Sequence, residues 1–428
     1  MKRNHLLAVL LLFIASTLRA QPKSALDSLK EQYEKYPQQA LREAEKIRTE
    51  ALRRNDKALF LEALFLKIHF TLQIDSDQYP AVIEEVKQCV ADEQELSARS
   101  ILHACLAQLY QEYYDRNRYK IAQRTALEGD LPESIEEWSP NLFEQHIFEE
   151  LTASIAPAEA LQATPINRYR AIYAISPATD TLRPTLYDHL CHEAIEAMPP
   201  AFNQVPDSIA MQPALLGNAE AFLSIALPET GAPERLRIWQ QLLRFRSTAG
   251  NAAAFVLADL ERLDNTHHIY NGEDRDTLYL NTLEEMRKAY AHLPISVEII
   301  AQEAEWLSRH LHDGNALANN ERALALCEEG IRKFPKYPRI NRLHTIITNI
   351  KQPGITVRFP QTIYPGEAFD LHINSRNLTG FTLDIYRINA TIEAFQAIPY
   401  ADRQQLPRTL VRQKSYQLPS SLIPQDTT

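Results

Sequence analysis

The sequence predicts an α+β protein in two parts, an N-terminal array of amphipathic helices followed by a short antiparallel β-domain. Apolar residues recur every three or four positions from Ser24 to about Gln352, and at every second position after it. Glycine is scarce, with 10 residues in 428, about 2% against a usual value of about 7%. A glycine-rich nucleotide-binding fold and a collagen are therefore excluded.

The first twenty residues predict a signal peptide. Lys2 and Arg3 precede an apolar stretch, Leu6 to Ile14, and Leu18-Arg19-Ala20 resembles a cleavage site. We expect cleavage after Ala20 and export to the periplasm, the cell envelope or the exterior; an uncleaved signal anchor is the alternative. No other stretch approaches about 18 uninterrupted apolar residues, so no transmembrane segment is expected in the mature chain.

Charge separates the two predicted parts. Without residues 1–20 the chain holds 42 basic and 55 acidic residues, a net charge of −13, which disfavours nucleic acid as a partner. Residues 351–428 hold 8 basic and 6 acidic residues, a net of +2, whereas residues 21–350 hold 34 and 49, a net of −15. This change predicts a boundary near residue 350.

The helical part reads as successive hairpins. One apolar stripe runs from Ala40 to Leu52 and the next from Leu59 to Phe70, and the stripes Val82–Val90 and Ile101–Tyr114 form a second pair. Pairs of about 35 to 40 residues are typical of a tetratricopeptide-like solenoid, and Arg322–Pro335 is the clearest unit. An irregular α-bundle is the alternative.

The period of two begins after Gln352-Pro353-Gly354, and it predicts an antiparallel β-sandwich half buried on one face. We therefore expect a signal peptide over 1–20, a helical repeat domain over 21–352 and a β-sandwich over 353–428. The last segment has about 76 residues, and a complete seven-stranded sandwich takes roughly 100. The β-domain is accordingly expected to be truncated.

Four cysteines are spread over the helical part, at positions 89, 105, 191 and 327. Cys89 and Cys105 would meet if they faced each other on consecutive helices, and an oxidising compartment would permit a disulfide there. Buried free thiols are the alternative that the sequence favours.

One helix gathers residues that could hold a metal, namely His189, Cys191, His192, Glu193 and Glu196. His192-Glu193-Ala194-Ile195-Glu196 is similar to the zinc-peptidase pattern H-E-x-x-H but lacks its second histidine, so a solvated helix face is expected instead. A metal-dependent hydrolase built on His192 and Glu193 is the least favoured alternative.

The sequence contains no G-x-S-x-G elbow and no glycine-rich phosphate loop. The aromatic residues Tyr110, Tyr113, Tyr114, Tyr119, Trp138 and Phe143 are interpreted as hairpin core and interface residues and not as a ligand cage. We therefore predict a protein that is not an enzyme, with no catalytic residue, no metal site and no cofactor.

The β-segment resembles a known family. Ile355–Pro360 leads into the turn Tyr364-Pro365-Gly366-Glu367, which resembles the Y-x-P-G-E element of macroglobulin domains. Arg376-Asn377-Leu378 and Leu383–Ile388, which contains Tyr386, are similar to the strands that follow in bacterial α2-macroglobulin family proteins of the Bacteroidetes type. Four helical segments also look like the N-terminal region of those proteins: Leu109–Arg118, Ile135–Ser139, Arg183–Leu190 and Asp259–Leu263.

The resemblance implies helical repeats followed by tandem macroglobulin sandwiches, and an activity of trapping attacking proteases. In that activity a protease cuts a bait segment and a Cys-x-Glu-Gln thioester captures it, and both parts would lie beyond residue 428. Cys105-Leu106-Ala107-Gln108 has alanine in place of the motif glutamate, so its likeness to the thioester is coincidental. The chain is thus expected to be the N-terminal part of an endopeptidase inhibitor whose partners are proteins, such as proteases or envelope proteins. A free-standing periplasmic helical-repeat scaffold is the alternative.

Overall fold

In the computed structural model the chain is mostly helical, with a small antiparallel β part near its C-terminal end. The structure describes Leu26, Leu29 and residues 33–124, 132, 134–173, 179–229, 233–310, 315–360, 362, 366, 368, 370–399, 402–403, 406–418, 420–423 and 425–427. The predicted signal peptide lies outside these residues. Within them, no helix combines the length and the apolar character needed to cross a bilayer.

The chain divides into two compact units, residues 1–282 and residues 283–428, and the boundary falls inside one helix. The helices that begin in the first unit are α1 (Pro37–Arg53), α2 (Lys57–Ile74), α3 (Tyr79–Asp92), α4 (Leu96–Ile121), α5 (Pro140–Ile155), α6 (Ala158–Gln162), α7 (Thr179–Leu182), α8 (Leu186–Ala197), α9 (Asp207–Ala210), α10 (Ala219–Leu223), α11 (Glu234–Thr248), α12 (Ala252–His267) and α13 (Arg275–Ala289). Short 3-10 turns separate several of them.

The second unit adds three long helices, one short helix and the strands. They are α14 (Ser296–Arg309), α15 (Ala316–Lys333), α16 (Asn341–Lys351), β1 (Gly354–Arg358), β2 (His372–Arg376), β3 (Gly380–Ile388), α17 (Ile392–Gln396), β4 (Arg408–Gln417) and β5 (Gln425–Thr427). The change from helix to strand thus lies at Pro353, where the apolar period changes.

The first predicted hairpin is present as α1 and α2. Pro37 occupies the first turn of α1, where its missing N–H has no helical partner to lose, and the Asp56 side chain caps α2 by accepting from the Leu59 N–H at 3.1 Å. Ala40 and Ala44 are fully buried, and they pack in one core with residues of α2. Small side chains on α1 let the two helices approach closely.

Aromatic residues of α4, of α5 and of the turn before α5 form a packed cluster. Tyr110 and Phe143 each contact the Trp138 ring, with centroid distances of 5.1 and 5.2 Å. All three side chains are buried. The interpretation as core residues is therefore confirmed for these three and wrong for Tyr119, which lies at the end of α4 and is 83% exposed.

Helix α14 carries two carboxylates with no exposed surface, Glu298 and Glu303. Arg287 of α13 donates to Glu303 at 2.7 Å, and Arg322 of α15 donates to its other oxygen at 2.5 Å. Arg342 of α16 donates to Glu298 at 3.0 Å. A buried carboxylate needs a charged partner, so α14 ties itself to three neighbouring helices through ion pairs.

The strands form two antiparallel sheets, one in the order β1-β2-β5 and one of β3 with β4. In the first, Gly354 is opposite Arg376 and Arg358 is opposite His372. The predicted antiparallel pairing is confirmed. The prediction that one face of each strand is buried is wrong for β1 and for part of β3. Ile355, Val357 and Ile385 remain 44%, 43% and 46% exposed, because no second sheet of the described residues covers them.

Candidate functional site

A densely connected polar site of the first unit lies at the start of α8. Thr185 caps this helix and forms a capping box with Asp188. Arg246 of α11 donates from Nε to Asp188 Oδ1 at 2.6 Å and from Nη2 to Thr185 Oγ1 at 3.0 Å. Both charged side chains are nearly fully buried, with 2% and 3% exposed surface. The pair therefore replaces solvent with a fixed set of hydrogen bonds.

One turn further along α8, His192 lies between two oxygen atoms. Its Nδ1 is 2.5 Å from the Asp188 backbone carbonyl and its Nε2 is 2.7 Å from Glu261 Oε2 on α12. Arg183 donates to the other oxygen of Glu261 at 2.6 Å. Both ring nitrogens are therefore engaged with oxygen atoms of the protein.

This arrangement keeps Glu261 ionised. Burial opposes the charge of Glu261, but the neighbouring His192 and Arg183 outweigh it and hold the pKa of this carboxyl at about 2. The glutamate therefore carries its charge at any physiological pH. Its two oxygens are engaged, so it is positioned as a counter-ion and not as a general base.

A second buried arginine extends the network along α12. Arg262 has no exposed surface and pairs with Asp259, one turn before it. Its guanidinium also donates to the backbone carbonyls of Leu215 and Gly217, at 2.9 and 3.0 Å, and lies 4.9 Å from the Phe222 ring centroid. The side chain thus holds the 3-10 turn Pro213–Leu216 and the following Gly217 against α12 by donating to two of their carbonyls.

The expectation of a solvated face on α8 is wrong for His192 and Cys191. His192 is 7% exposed and Cys191 is fully buried, because α4, α5, α6 and α11 all pack against α8. His189 is paired with Glu193 at 3.3 Å. A metal-binding histidine needs a free lone pair, and both nitrogens of His192 are already in hydrogen bonds. Among the described residues no group of three potential ligands could hold a metal ion.

A cleft of about 540 Å³ lies beside this network. One face of α11 forms one wall, where Ile238, Gln241 and Phe245 follow one another at about one helical turn and Arg237 precedes Ile238. The ends of α5 and α6 contribute further residues: Thr152, Ile155, Ala156, Ala158 and Gln162. Arg244 and Glu234 also line the cleft, and Glu234 accepts from Arg237 at 2.9 Å, so the walls combine apolar side chains with charges of both signs. This mixture suits a short segment of another protein better than a purely apolar ligand.

All four cysteines are free thiols, and the structure does not contain the disulfide considered for Cys89 and Cys105. Burial raises the pKa of both thiols above the ordinary range. Cys105, Cys191 and Cys327 are buried in helices. None of them lies in an environment that would favour the thiolate, so they behave as small apolar core residues.

The residues of the family resemblance are distributed as follows. Tyr364, Pro365 and Glu367 lie outside the described residues, and Gly366 has φ +85°, which favours glycine. Asn377 has φ 54°, and its side-chain amide donates to the carbonyls of Ile350 and Gln352, at 2.7 and 3.2 Å.

Arg376 donates to the Asn349 carbonyl at 3.3 Å, so it shares with Asn377 the task of closing the C-terminal end of α16. Tyr386 of β3 is 37% exposed, donates to Asp384 at 3.3 Å and lies under the Arg408 guanidinium. Arg376 and Asn377 thus connect the end of β2 to the C-terminal end of α16, and Tyr386 lies at the surface.

Comparison with protein-family models, with curated proteins and with solved structures gave no significant match.

Sequence reasoning did not assign a role to Arg246, Glu261 or Arg262. One signal was available, because Asp259 and Arg262 interrupt a stripe of apolar residues on α12. Charged residues at core positions indicate a buried pair. Arg183, three residues before α8, and Glu261 of α12 join the two ends of this network through an ion pair at 2.6 Å.

Proposed function

We propose that the chain is the N-terminal part of an extracytoplasmic α2-macroglobulin-like endopeptidase inhibitor. In this proposal a tetratricopeptide-like array leads into a macroglobulin-like sandwich, and the bait and thioester regions belong to further parts of the inhibitor. The chain itself is not an enzyme. Its helical part is a docking module for proteins such as proteases or envelope proteins.

The exposed apolar rows of the β part carry the proposal. Ile355 and Val357, which share one side of β1, are 44% and 43% exposed, and Phe359 directly after the strand is 62% exposed. The inner face of a sandwich sheet is apolar and becomes buried only when a second sheet packs over it at about 10 Å. Uncovered rows on short strands are what a macroglobulin sandwich would present before its remaining strands are added.

The polar network of the first unit supports a non-enzymatic role. A general base or nucleophile needs a free lone pair that can face a substrate. Asp188, His192 and Glu261 use their polar atoms in hydrogen bonds within the protein. Such a network stabilises the arrangement of α8, α11 and α12 and offers no reactive group.

Immunoblotting of envelope fractions from the native cells tests the proposal, with an antibody raised against the helical part. We expect a band far above the 49.0 kDa of this chain, containing peptides with a Cys-x-Glu-Gln sequence by mass spectrometry. A band at or below 49.0 kDa, together with genomic sequence after codon 428 that encodes no macroglobulin strands in any frame, would refute it.

The cleft beside α11 favours a second candidate, a free-standing periplasmic scaffold of helical repeats. Its volume of about 540 Å³ and its arginines would accommodate a short peptide segment. Calorimetry of residues 353–428 expressed alone separates the two candidates. A cooperative transition would indicate a self-sufficient β-domain and favour the scaffold, whereas an unfolded fragment would favour an interrupted sandwich.

A further inference from the structure

The ribbon formed by β3 and β4 has one face that combines an apolar row with basic residues. Residues directly opposite each other in an antiparallel pair point to the same side of the sheet. The register places Phe381 opposite Tyr416, Leu383 opposite Lys414 and Ile385 opposite Arg412. We call this side the basic face; its cationic residues on β4, Arg412 and Lys414, are two positions apart.

The cations of the basic face have no acidic partner in the described part of the chain. Arg412 and Lys414 are both exposed, and the Lys414 ammonium lies 4.7 Å from the Tyr416 ring centroid. On the opposite side of the ribbon the polar groups are paired, for example Gln413 with Asp384 at 2.8 Å. The two faces therefore differ in their capacity to attract an anionic partner.

The outer edge of β4 is open. Within the described residues β4 pairs only with β3, over a strand of 10 residues. An open edge exposes backbone N–H and C=O groups that can accept another strand. A second copy is disfavoured at this edge, because an antiparallel β4 pair centred on Gln413 would place Arg412 opposite Lys414 of the second copy. Like charges at opposed positions destabilise a strand pair.

We infer that the outer edge of β4 accepts an extended strand from another protein, with acidic side chains at alternate positions. Backbone hydrogen bonds would supply the pairing, as in other cases of strand addition. Two carboxylates two residues apart would lie opposite Arg412 and Lys414 on the basic face. The charges that oppose self-pairing thus select a partner of the opposite sign. This inference does not depend on the proposed function.

Fluorescence anisotropy with the full chain tests the inference. The probe is a labelled peptide of the length of β4 that alternates glutamate with threonine, and a lysine–threonine peptide is its counterpart. We expect saturable binding of the acidic peptide only. Backbone N-methylation of every second residue of the probe should abolish binding, since it removes the hydrogen bonds of strand addition and keeps the charges.

A charge-reversed variant, Arg412→Glu with Lys414→Glu, should bind the acidic peptide at least about tenfold more weakly and should now bind the lysine peptide. The matched control reverses two exposed cations of α1, Lys46→Glu with Arg53→Glu, and should leave both results unchanged. Circular dichroism verifies that both variants are folded. Undiminished binding by the N-methylated probe or by the charge-reversed variant would overturn the inference, as would no binding to the unaltered chain.

Discussion

Replacing Arg246 by methionine should destabilise the first unit more than any surface change of the same kind. The substitution keeps much of the aliphatic stem and removes a guanidinium that is 2% exposed. Asp188 would then remain buried with only the Thr185 N–H and hydroxyl as donors, at 3.0 and 2.8 Å. Removing one partner of a buried pair leaves the other charge without compensation.

Such losses amount to about 3–5 kcal/mol, because the remaining ion cannot recover its hydration. With a urea dependence of about 1–3 kcal/mol per molar, the midpoint of unfolding should fall by roughly 1 M or more. Far-UV circular dichroism during a urea titration at pH 7 measures this shift. Arg53→Met is the matched control, since Arg53 is 75% exposed, and should change the stability by less than about 0.5 kcal/mol.

The double variant Arg246→Met with Asp188→Asn identifies the cause. Asparagine keeps an oxygen acceptor for the helix cap but carries no charge. The loss of stability in the double variant should therefore be smaller than the sum of the losses in the two single variants. Two results would refute the reasoning. One is a cost for Arg246→Met as small as that for Arg53→Met, and the other is strict additivity in the double variant.

Three further predictions concern stability. Glu261 has a pKa near 2, below the about 4.3 of an unfolded glutamate, so its contribution is complete above roughly pH 5 and is lost towards pH 2. Glu261→Gln should lower the free energy of unfolding by about 1–2 kcal/mol at pH 7. The urea midpoints of this variant and of the unaltered chain should converge as the pH falls, and a difference in midpoint that does not change with pH would contradict this. Gly330→Ala should destabilise the second unit by about 1 kcal/mol, measured by thermal unfolding. The new methyl would lie 2.8 Å from a buried Leu343 methyl, and the cost of this close contact outweighs the helix-propensity gain of about 1 kcal/mol. A stabilised variant would show that Leu343 can move. Asn377→Ala should be less stable than Asn377→Gly by about 1 kcal/mol, because both lose the cap but only alanine is strained at φ 54°; equal melting temperatures would exclude that strain.

The sequence predicts most of the helical hairpins because their pattern is local. The stripe from Ala40 to Phe70 contains its own turn and its own core, and the structure shows two helices there. The exposed faces of β1 and β3 could not be predicted in this way. The alternation of apolar and polar residues shows which side chains share a side of a strand. Burial of that side requires a second sheet, and no local sequence pattern indicates whether one is present.

The polar network shows a different limit. His192 was singled out by its resemblance to a metal motif, yet its partner Glu261 lies 69 residues away on another helix. Long-range pairing of this kind depends on how α8 and α12 pack together. In the sequence alone, a glutamate that forms an ion pair inside the protein looks the same as a solvated glutamate when its helix also carries exposed charged residues.

The two fully buried carboxylates of α14 determine where the second unit can be divided. A fragment that ends before Asn341 would leave Glu298 without Arg342, and one that begins after Ala289 would leave Glu303 without Arg287. Each such cut removes one of the two arginines that compensate a buried carboxylate and leaves only Arg339 for Glu298 or Arg322 for Glu303. Helices α13 to α16 should therefore gain and lose their structure in a single step, and proteolytic nicking within the unit should lead to its complete digestion and not to a stable smaller core.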